Sequence, residues 1–327
     1  MNIEKHKNRL ILLSIVILIL FTGCAKQNEI EQPVSETTSA EYQYTFNPHV
    51  ITDEYIQVYG EVFKEEFFSL CDAILNVEDS FDCSSSERFY QLLSVSSSCF
   101  PLADELIDKN QTRVENGKCY LVYNFSKEET KEKITLFTDK VTGFIKESIS
   151  YEEPDYVKAM ELYTALLHKD SYDYSYTLED SLDLRTYRVI MYDTGICQEI
   201  AREYIYYLLQ IGIDSLTCSS LNKEQSEAHE WVLIKLDGQY YHIDPTYGLN
   251  YPESLFFFGM DDIQRAYYGD FPVENYRYGE TDLNGLSASD RRFEKFWLAK
   301  SYTIDHKNRI IEIIDNNTEQ KFVYDFD

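Results

Sequence analysis

The sequence predicts an α+β fold, and two observations carry this prediction. Several long stretches place apolar residues at every third or fourth position, which is the period of a helix with one buried face. Two stretches rich in β-branched and aromatic residues flank Asp237-Gly238, a dipeptide typical of two-residue turns. These stretches predict an antiparallel β-hairpin.

The composition permits a large folded core and argues against nucleic-acid binding. Of the 327 residues, 44% are hydrophobic and 15% are aromatic, so the chain is not a disordered acidic segment. Asp and Glu number 57 against 30 Lys and Arg, which gives a formal net charge of −27. A surface this acidic repels polyanions, and we expect no nucleic-acid partner. The six His residues are scattered, so we expect neither a metal site nor another cofactor.

Residues 1–23 resemble an export signal. Basic residues precede an apolar run that is shorter than the membrane span of about 20 residues, although a retained membrane anchor is the alternative. The pattern Leu20-Phe21-Thr22-Gly23-Cys24 is similar to the lipobox of bacterial lipoproteins. This resemblance implies lipid attachment at Cys24 and a position on the extracytoplasmic face of the cell membrane. The polar residues 24–45 are predicted to be a tether.

Residues 46–153 are predicted to form a smaller accessory α/β domain. A helical pattern begins at Asp53, with Thr52 as its N-cap, and continues to Ile74. The Ser-rich stretch at residues 84–98 is predicted to be irregular, and residues 119–123 are predicted to be a strand. Residues 126–129 have the spacing of a capping box, which begins a predicted helix over residues 126–149.

The main domain is predicted over residues 154–285. Pro154 suits the beginning of a helix, and apolar residues spaced by three or four follow it. From Trp297 onward the chain alternates apolar and polar residues, which predicts short strands and a C-terminal β extension over residues 286–327.

Cys197 is the candidate nucleophile. It follows Gly195-Ile196 and precedes a helical pattern that runs from Gln198 to Gln210 and is ended by Gly212. At the first turn of a helix, free N–H groups and the helix dipole favour the thiolate, which is the nucleophilic form of cysteine. A small buried hydrophobic residue is the alternative interpretation of such a cysteine.

His229 and Asp244 are the candidate base and its orienting carboxylate. If Leu236 pairs with Gln239 across the turn, the register sets Asp244 opposite Trp231 and diagonal to His229. The imidazole and the carboxylate then share one face of the hairpin, close enough for a hydrogen bond. Nucleophile, base and orienting group are thus all present.

His242 is the competing candidate base. The same register sets it opposite Leu233 on the same face, but it lies nearer the turn and only two residues from Asp244 on one strand. We therefore favour His229, a choice that a β-bulge would overturn.

Together these stretches resemble the transglutaminase-like superfamily of cysteine enzymes. The family pattern reads here as Gly195-Ile196-Cys197, Gly212-Ile213, His229-Glu230-Trp231 and Asp244-Pro245-Thr246. The resemblance covers roughly residues 155–260 and implies a papain-like core, in which the helix that carries the cysteine packs on an antiparallel sheet. It implies that Cys197 is the nucleophile, His229 the base and Asp244 the orienting carboxylate.

The chemistry that the resemblance implies is acyl transfer through a thioester on Cys197. Water as the acceptor would give a peptidase or amidase and an amine would give a crosslinking enzyme, and the sequence does not choose between them. The oxyanion would be held by the Cys197 N–H and a second donor, for which Tyr187 and Gln198 are candidates. We expect peptide or protein substrates, associated with the cell wall or the cell surface.

A surface binding or scaffold module without turnover is the competing function, because a fold does not by itself establish catalysis. Members of the superfamily can be non-catalytic. The other cysteines of the exported chain are odd in number, so at least one is unpaired, and we expect buried free thiols at Cys71, Cys83, Cys99, Cys119 and Cys218.

Overall fold

The computed structural model describes residues 42–176, 185–280 and 283–326, and its mixture of helices and antiparallel strands confirms the α+β class. The predicted signal segment, Cys24 and most of the predicted tether lie outside these described residues. Within the described ranges, none of the helices combines the length and the apolarity that crossing a membrane requires.

The helices and strands have the following bounds. The helices are α1 (Asp53–Tyr59), α2 (Glu61–Leu75), α3 (Ser86–Cys99), α4 (Leu102–Leu106), α5 (Lys127–Ser148), α6 (Asp155–Lys169), α7 (Thr186–Tyr192), α8 (Cys197–Gln210), α9 (Pro245–Gly248) and α10 (Asp262–Tyr267). The strands are β1 (Ser80–Asp82), β2 (Arg113–Glu115), β3 (Lys118–Tyr120), β4 (Ser171–Tyr172), β5 (Thr194–Gly195), β6 (Ser215–Leu221), β7 (Ala228–Leu236), β8 (Gln239–Ile243), β9 (Arg277–Tyr278), β10 (Ala299–Asp305), β11 (Ile310–Asp315) and β12 (Lys321–Asp325).

The central sheet has four antiparallel strands in the order β8-β7-β6-β9. Strands β7 and β8 pair Leu236 with Gln239 and Leu233 with His242, which is the register that the turn predicts. Both residues of the turn, Asp237-Gly238, have a positive φ, as a turn with the twist of a hairpin requires.

Helix α8 is the central helix of the fold and packs against β7 and β6. Its residues from Glu199 to Gln210 are buried, except for Arg202, so the helix is enclosed on nearly all sides. Gly212 ends the helix as predicted, because its φ of +79° is one that glycine adopts freely. The N–H of Ile213 then donates to the carbonyl of Leu208 at 2.9 Å.

The first helical region is two helices, where the sequence predicted one. Helix α1 ends at Tyr59 and α2 begins at Glu61, because Gly60 has a φ of +84°. A backbone in this conformation cannot continue a right-handed helix. The apolar period nevertheless continues across the break, which is why the pattern looked uninterrupted.

The Ser-rich stretch at residues 84–98 was predicted to be irregular, and this was wrong. Helix α3 occupies it, with the Ser85 side chain as its N-cap. The buried hydroxyl of Ser96 donates to the carbonyl of Leu92 at 2.8 Å, one turn back. Because this hydrogen bond satisfies the hydroxyl, a serine can be buried in a helix whose apolar residues face the core.

Two small sheets lie on either side of the central sheet in sequence. Strands β1, β3 and β2 form one antiparallel sheet, and β10, β11 and β12 form another, so the predicted C-terminal strands are present.

The predicted capping box joins Ser126 and Glu129 at the head of α5. One hydrophobic core runs from Tyr44 to Phe326. The division into domains at residues 153 and 285 stays a prediction.

Candidate active site

Cys197 is the first residue of α8, and the chain before it is held by a short parallel strand pair. Strand β5 pairs with β4, so that Tyr172 lies beside Gly195. A Cβ at Gly195 would meet the Val189 side chain at 3.0 Å, so this close approach favours glycine. Cys197 is partly exposed, whereas the other five described cysteines are buried and free. It is therefore the described thiol that is accessible to a reagent.

Glu199 caps the N-terminus of α8, and a neighbouring arginine compensates its negative charge. Its carboxylate accepts a hydrogen bond from the Ile196 N–H at 3.1 Å, and so satisfies one of the free donors of the first turn. The Arg188 guanidinium binds the same carboxylate through two nitrogens. The negative charge that Glu199 brings near the thiol is therefore compensated by Arg188.

His229 and Asp244 form a buried pair on the β7–β8 hairpin. The Nε2 of His229 lies 2.8 Å from the Oδ2 of Asp244, and the two side chains are 5% and 0% exposed. The ring of Tyr247 stacks on the imidazole at a centroid distance of 4.9 Å. The register thus brings these two predicted residues into contact.

Arg265 is a functional residue that the sequence reasoning missed. It is fully buried, and its guanidinium donates to the Oδ2 of Asp244 at 2.8 Å. The same guanidinium lies 3.9 Å from the centre of the Trp231 ring, so a cation–π contact supports its position. Asp244 also accepts the Tyr247 N–H at 3.1 Å as the N-cap of α9. The carboxylate is therefore held on three sides.

In the His229–Asp244 pair, each group stabilises the charged form of the other. Burial is the largest single effect on the pKa of His229 and lowers it, but the charge of Asp244, the hydrogen bond to Asp244 and the nearby Cys197 together raise this pKa to about 9. Burial raises the pKa of Asp244, but His229 and Arg265 outweigh it and hold this pKa below its ordinary value. At neutral pH the pair is consequently an imidazolium next to a carboxylate.

Burial lowers the pKa of His229, whereas Asp244 and then the thiol of Cys197 raise it, so the sulfur lies near the imidazole. Because Asp244 engages Nε2, the other ring nitrogen, Nδ1, is the one available to the sulfur. The described structure thus brings all three predicted residues together: a thiol at a helix N-terminus, an imidazole and a carboxylate. This arrangement can activate a cysteine and pass a proton to a leaving group.

His242, the competing base, has a different environment. Its Nδ1 accepts the indole N–H of Trp231 at 2.9 Å, and its Nε2 lies 2.8 Å from the carboxylate of Asp262. Burial is the largest cause of its lowered pKa. A ring that accepts at one nitrogen and donates at the other is neutral and has both nitrogens occupied. His242 therefore orients Trp231 rather than serving the thiol.

The two predicted oxyanion donors, Tyr187 and Gln198, both contact other residues. The buried ring of Tyr187 stacks on Phe137 at a centroid distance of 5.6 Å. In the orientation that satisfies its neighbours, the amide oxygen of Gln198 accepts from the guanidinium of Arg202 at 2.8 and 2.9 Å. Burial and then the charge of Cys197 raise the pKa of the Tyr172 phenol to about 12, and Tyr172 pairs with Gly195, two residues before the thiol.

A cavity of about 580 Å³ lies outside this site, between α3, α4 and the Arg202 side of α8. Its lining is polar and includes Asp104, Arg185 and Glu280, but none of Cys197, His229 and Asp244. This cavity is therefore separate from the cysteine site.

Comparison with known proteins connects this geometry to a family. Residues 143–245 match the model of the transglutaminase-like superfamily, and the matched range includes the three site residues. No curated protein matches the chain. Among solved structures, a candidate cysteine protease from Cytophaga hutchinsonii is 14% identical, with a TM-score of 0.27 over 35% of this chain and 37% of that one.

A structure described as a TGase is 12% identical, with a TM-score of 0.30 over 42% of this chain and 43% of that one. The present chain thus covers less than half of either solved chain. The family match bears on the site because the matched residues, 143–245, include Cys197, His229 and Asp244. The chain therefore contains a region, residues 143–245, that is similar to the transglutaminase-like superfamily.

Proposed function

We propose that this protein is a cysteine-dependent acyltransferase or amidase that acts on peptide or protein substrates. The observation that carries the proposal is the buried His229–Asp244 pair, with the partly exposed thiol of Cys197 near enough to the imidazole to act on its pKa. A nucleophile, a proton carrier and an orienting carboxylate in contact are the minimum set for thiol acyl transfer.

The proposed reaction has two stages. In the reacting form the proton of the Cys197 thiol is on His229. The sulfur forms a bond to the carbonyl carbon of an amide, and the C–N bond breaks as His229 gives this proton to the leaving amine. Water or a second amine then attacks the thioester and transfers a proton to His229, and the C–S bond breaks to release the thiolate beside the imidazolium. Asp244 stabilises the imidazolium, and the Cys197 N–H with the Tyr172 hydroxyl are the donors we assign to the oxyanion.

The proposed location is the extracytoplasmic face of the cell membrane, with the chain attached by a lipid on Cys24. The support is the sequence of residues 1–24, in which basic residues, an apolar run and a lipobox-like pattern follow in order. Substrates on the cell surface or in the cell wall would be within reach of such an anchored enzyme.

Alkylation of the thiol tests the catalytic part of the proposal. Purified protein is treated with iodoacetamide at neutral pH, and modification of Cys197 is followed by mass spectrometry. We expect Cys197 to react about tenfold or more faster than a model thiol, and we expect His229→Gln to abolish the difference. His49→Gln is the matched control, because His49 makes a 2.8 Å pair with Asp72 on an exposed surface.

Turnover is then measured with a panel of peptide amides and cell-wall fragments, with Cys197→Ala as the inactive control. Release of ammonia or amine together with an acyl adduct on Cys197 would establish the reaction. An ordinary alkylation rate that is the same in the unaltered protein, His229→Gln and His49→Gln would support instead a surface binding module without turnover.

A further inference from the structure

Glu227 lies at the open end of β7, two residues before His229. The N–H of Asn222 donates to the Glu227 carbonyl at 2.9 Å, which extends the ladder beyond the Leu221–Ala228 pair in the same register. Side chains alternate between the two faces of a strand, so Glu227 and His229 project from the same face, about 7 Å apart along the strand. Glu227 is thus placed toward solvent on the face that carries the imidazole.

Two tyrosine rings flank this position and the thiol. Tyr172 lies beside Gly195 on the strand that leads to Cys197, and Tyr247 stacks on the imidazole of His229. Both rings are partly exposed. Burial is the largest cause of the raised pKa of each phenol, and the charges of both Glu227 and Cys197 add to it, so the carboxylate and the thiol lie in the neighbourhood of both rings.

Among the described residues no cation pairs with the carboxylate of Glu227, whereas neighbouring carboxylates are paired with one. Two carboxylates on the segments around Cys197, Asp173 and Glu199, are both held by Arg188. The exposed side chain of Glu227 makes no hydrogen bond or ion pair with the residues that the structure describes. The cation of the neighbouring loop, Lys223, is engaged by Asp270.

Arg265, which is near Tyr247, is engaged by Asp244 and fully buried. The mouth of the site therefore offers an open carboxylate near the partly exposed tyrosines Tyr172 and Tyr247. A carboxylate attracts a cation by charge, and the face of a tyrosine ring attracts it through the ring quadrupole. An anionic group at the same place would be repelled.

We propose that Glu227, Tyr172 and Tyr247 form a cation-selective subsite, so that the substrate is a peptide with a cationic side chain next to the amide that Cys197 attacks. The catalytic meaning of this subsite rests on the proposed function, whereas its preference for cations does not. Glu227 is a specificity-determining residue in this scheme and takes no part in bond breaking.

Charged thiol reagents test the subsite without knowledge of the substrate. The probes are three methanethiosulfonates: the methyl compound, which is neutral, the trimethylammonium-ethyl compound, which is a cation, and the sulfonatoethyl compound, which is an anion. Each reacts with the thiol to form a mixed disulfide and to release a sulfinate. The measured quantity is the ratio of the cation rate to the anion rate at Cys197, with Cys197→Ala as the background.

We expect this ratio to fall about tenfold in Glu227→Gln, which removes a charge close to the thiol while keeping the size of the side chain. Glu224→Gln is the matched control, because Glu224 is an exposed carboxylate of the same β6–β7 loop, and its ratio should change less than twofold. The rates are measured at 0.1 M salt, where the field of the acidic protein as a whole is screened beyond about 10 Å. Tyr172→Leu should lower the ratio of the cation rate to the neutral rate a few-fold.

The outcomes separate this inference from the proposed function. An equal ratio in the unaltered protein and Glu227→Gln, or an equal fall in both Glu variants, would overturn the subsite even if the neutral reagent reacts rapidly. A ratio that depends on Glu227 would support the subsite even if neutral alkylation proceeds at an ordinary rate, in which case a cation-binding surface remains and the enzyme proposal fails.

Discussion

The protonation of His229 is the property of the site that Asp244 should control most directly. Asp244→Asn removes the negative charge and keeps the shape of the side chain. In the folded protein Asp244 raises the pKa of His229 to about 9 against the effect of burial. Without that charge, burial and the nearby Arg265 cation both act in the same direction. The pKa of His229 should then fall below its ordinary value of 6.5.

The expected shift is therefore at least about 2.5 pH units, which corresponds to about 3 kcal/mol of lost imidazolium stabilisation. The assay is an NMR titration of protein labelled with ¹⁵N at histidine, with His229→Gln used to assign the resonance. His242 is the internal control, because burial lowers its pKa and it should stay neutral from pH 7 to 10 in both proteins.

A His229 resonance that titrates near pH 6.5 in the unaltered protein would refute the reasoning. The same midpoint in Asp244→Asn and in the unaltered protein would also refute it, because the carboxylate would then have no influence on the imidazole. Circular dichroism of the variant establishes that its fold is retained before the titration is compared.

The same shift predicts how stability depends on pH. The folded-state pKa of His229 lies above the unfolded value, so its contribution is fully present below pH 6.5 and is lost as the pH rises through about 9. Between these limits the unaltered protein should lose about 3 kcal/mol more unfolding free energy than His229→Gln, measured by urea denaturation. Parallel pH dependence in the two proteins would contradict this expectation.

Two further substitutions test the support of the site. Arg265→Met should lower the free energy of unfolding by about 3 kcal/mol, because it leaves the buried carboxylate of Asp244 without its guanidinium partner, and a loss below about 1 kcal/mol would contradict this. Gly259→Ala should cost about 2 to 4 kcal/mol, because Gly259 has a φ of +69° and a Cβ would lie 2.8 Å from Phe293. Gly285→Ala, with a φ of +82° and open space, is the control and should cost about 1 kcal/mol.

The contact between His229 and Asp244 could be predicted from sequence because local rules determine it. The turn Asp237-Gly238 fixes how β7 pairs with β8, and an unbroken ladder then determines every pair up to Val232–Ile243. The approach of Cys197 could not be derived in this way. It depends on how α8 packs across the sheet, and only the resemblance to a family indicated it.

Arg265 was missed because no local pattern marks a buried arginine. It lies on α10, 21 residues after Asp244, and tertiary packing alone brings it to the carboxylate. The signal that could have found it is electrostatic: a buried Asp that also faces a histidine favours a second cation. Helix α3 was missed for another reason. Serine favours turns and caps, and the serines of this stretch outweighed the helical spacing of Phe89, Leu92 and Val95 in the prediction.

The β7–β8 hairpin constrains how this chain can change in length. The imidazole and the carboxylate are 15 residues apart, and the positions of both depend on one turn. A single amino acid inserted into either strand between them would rotate one of the two groups to the reverse side of the sheet, whereas a pair of inserted amino acids would restore its direction. Natural variants should therefore differ in length within the loop that precedes Glu227, and hardly at all from His229 to Asp244.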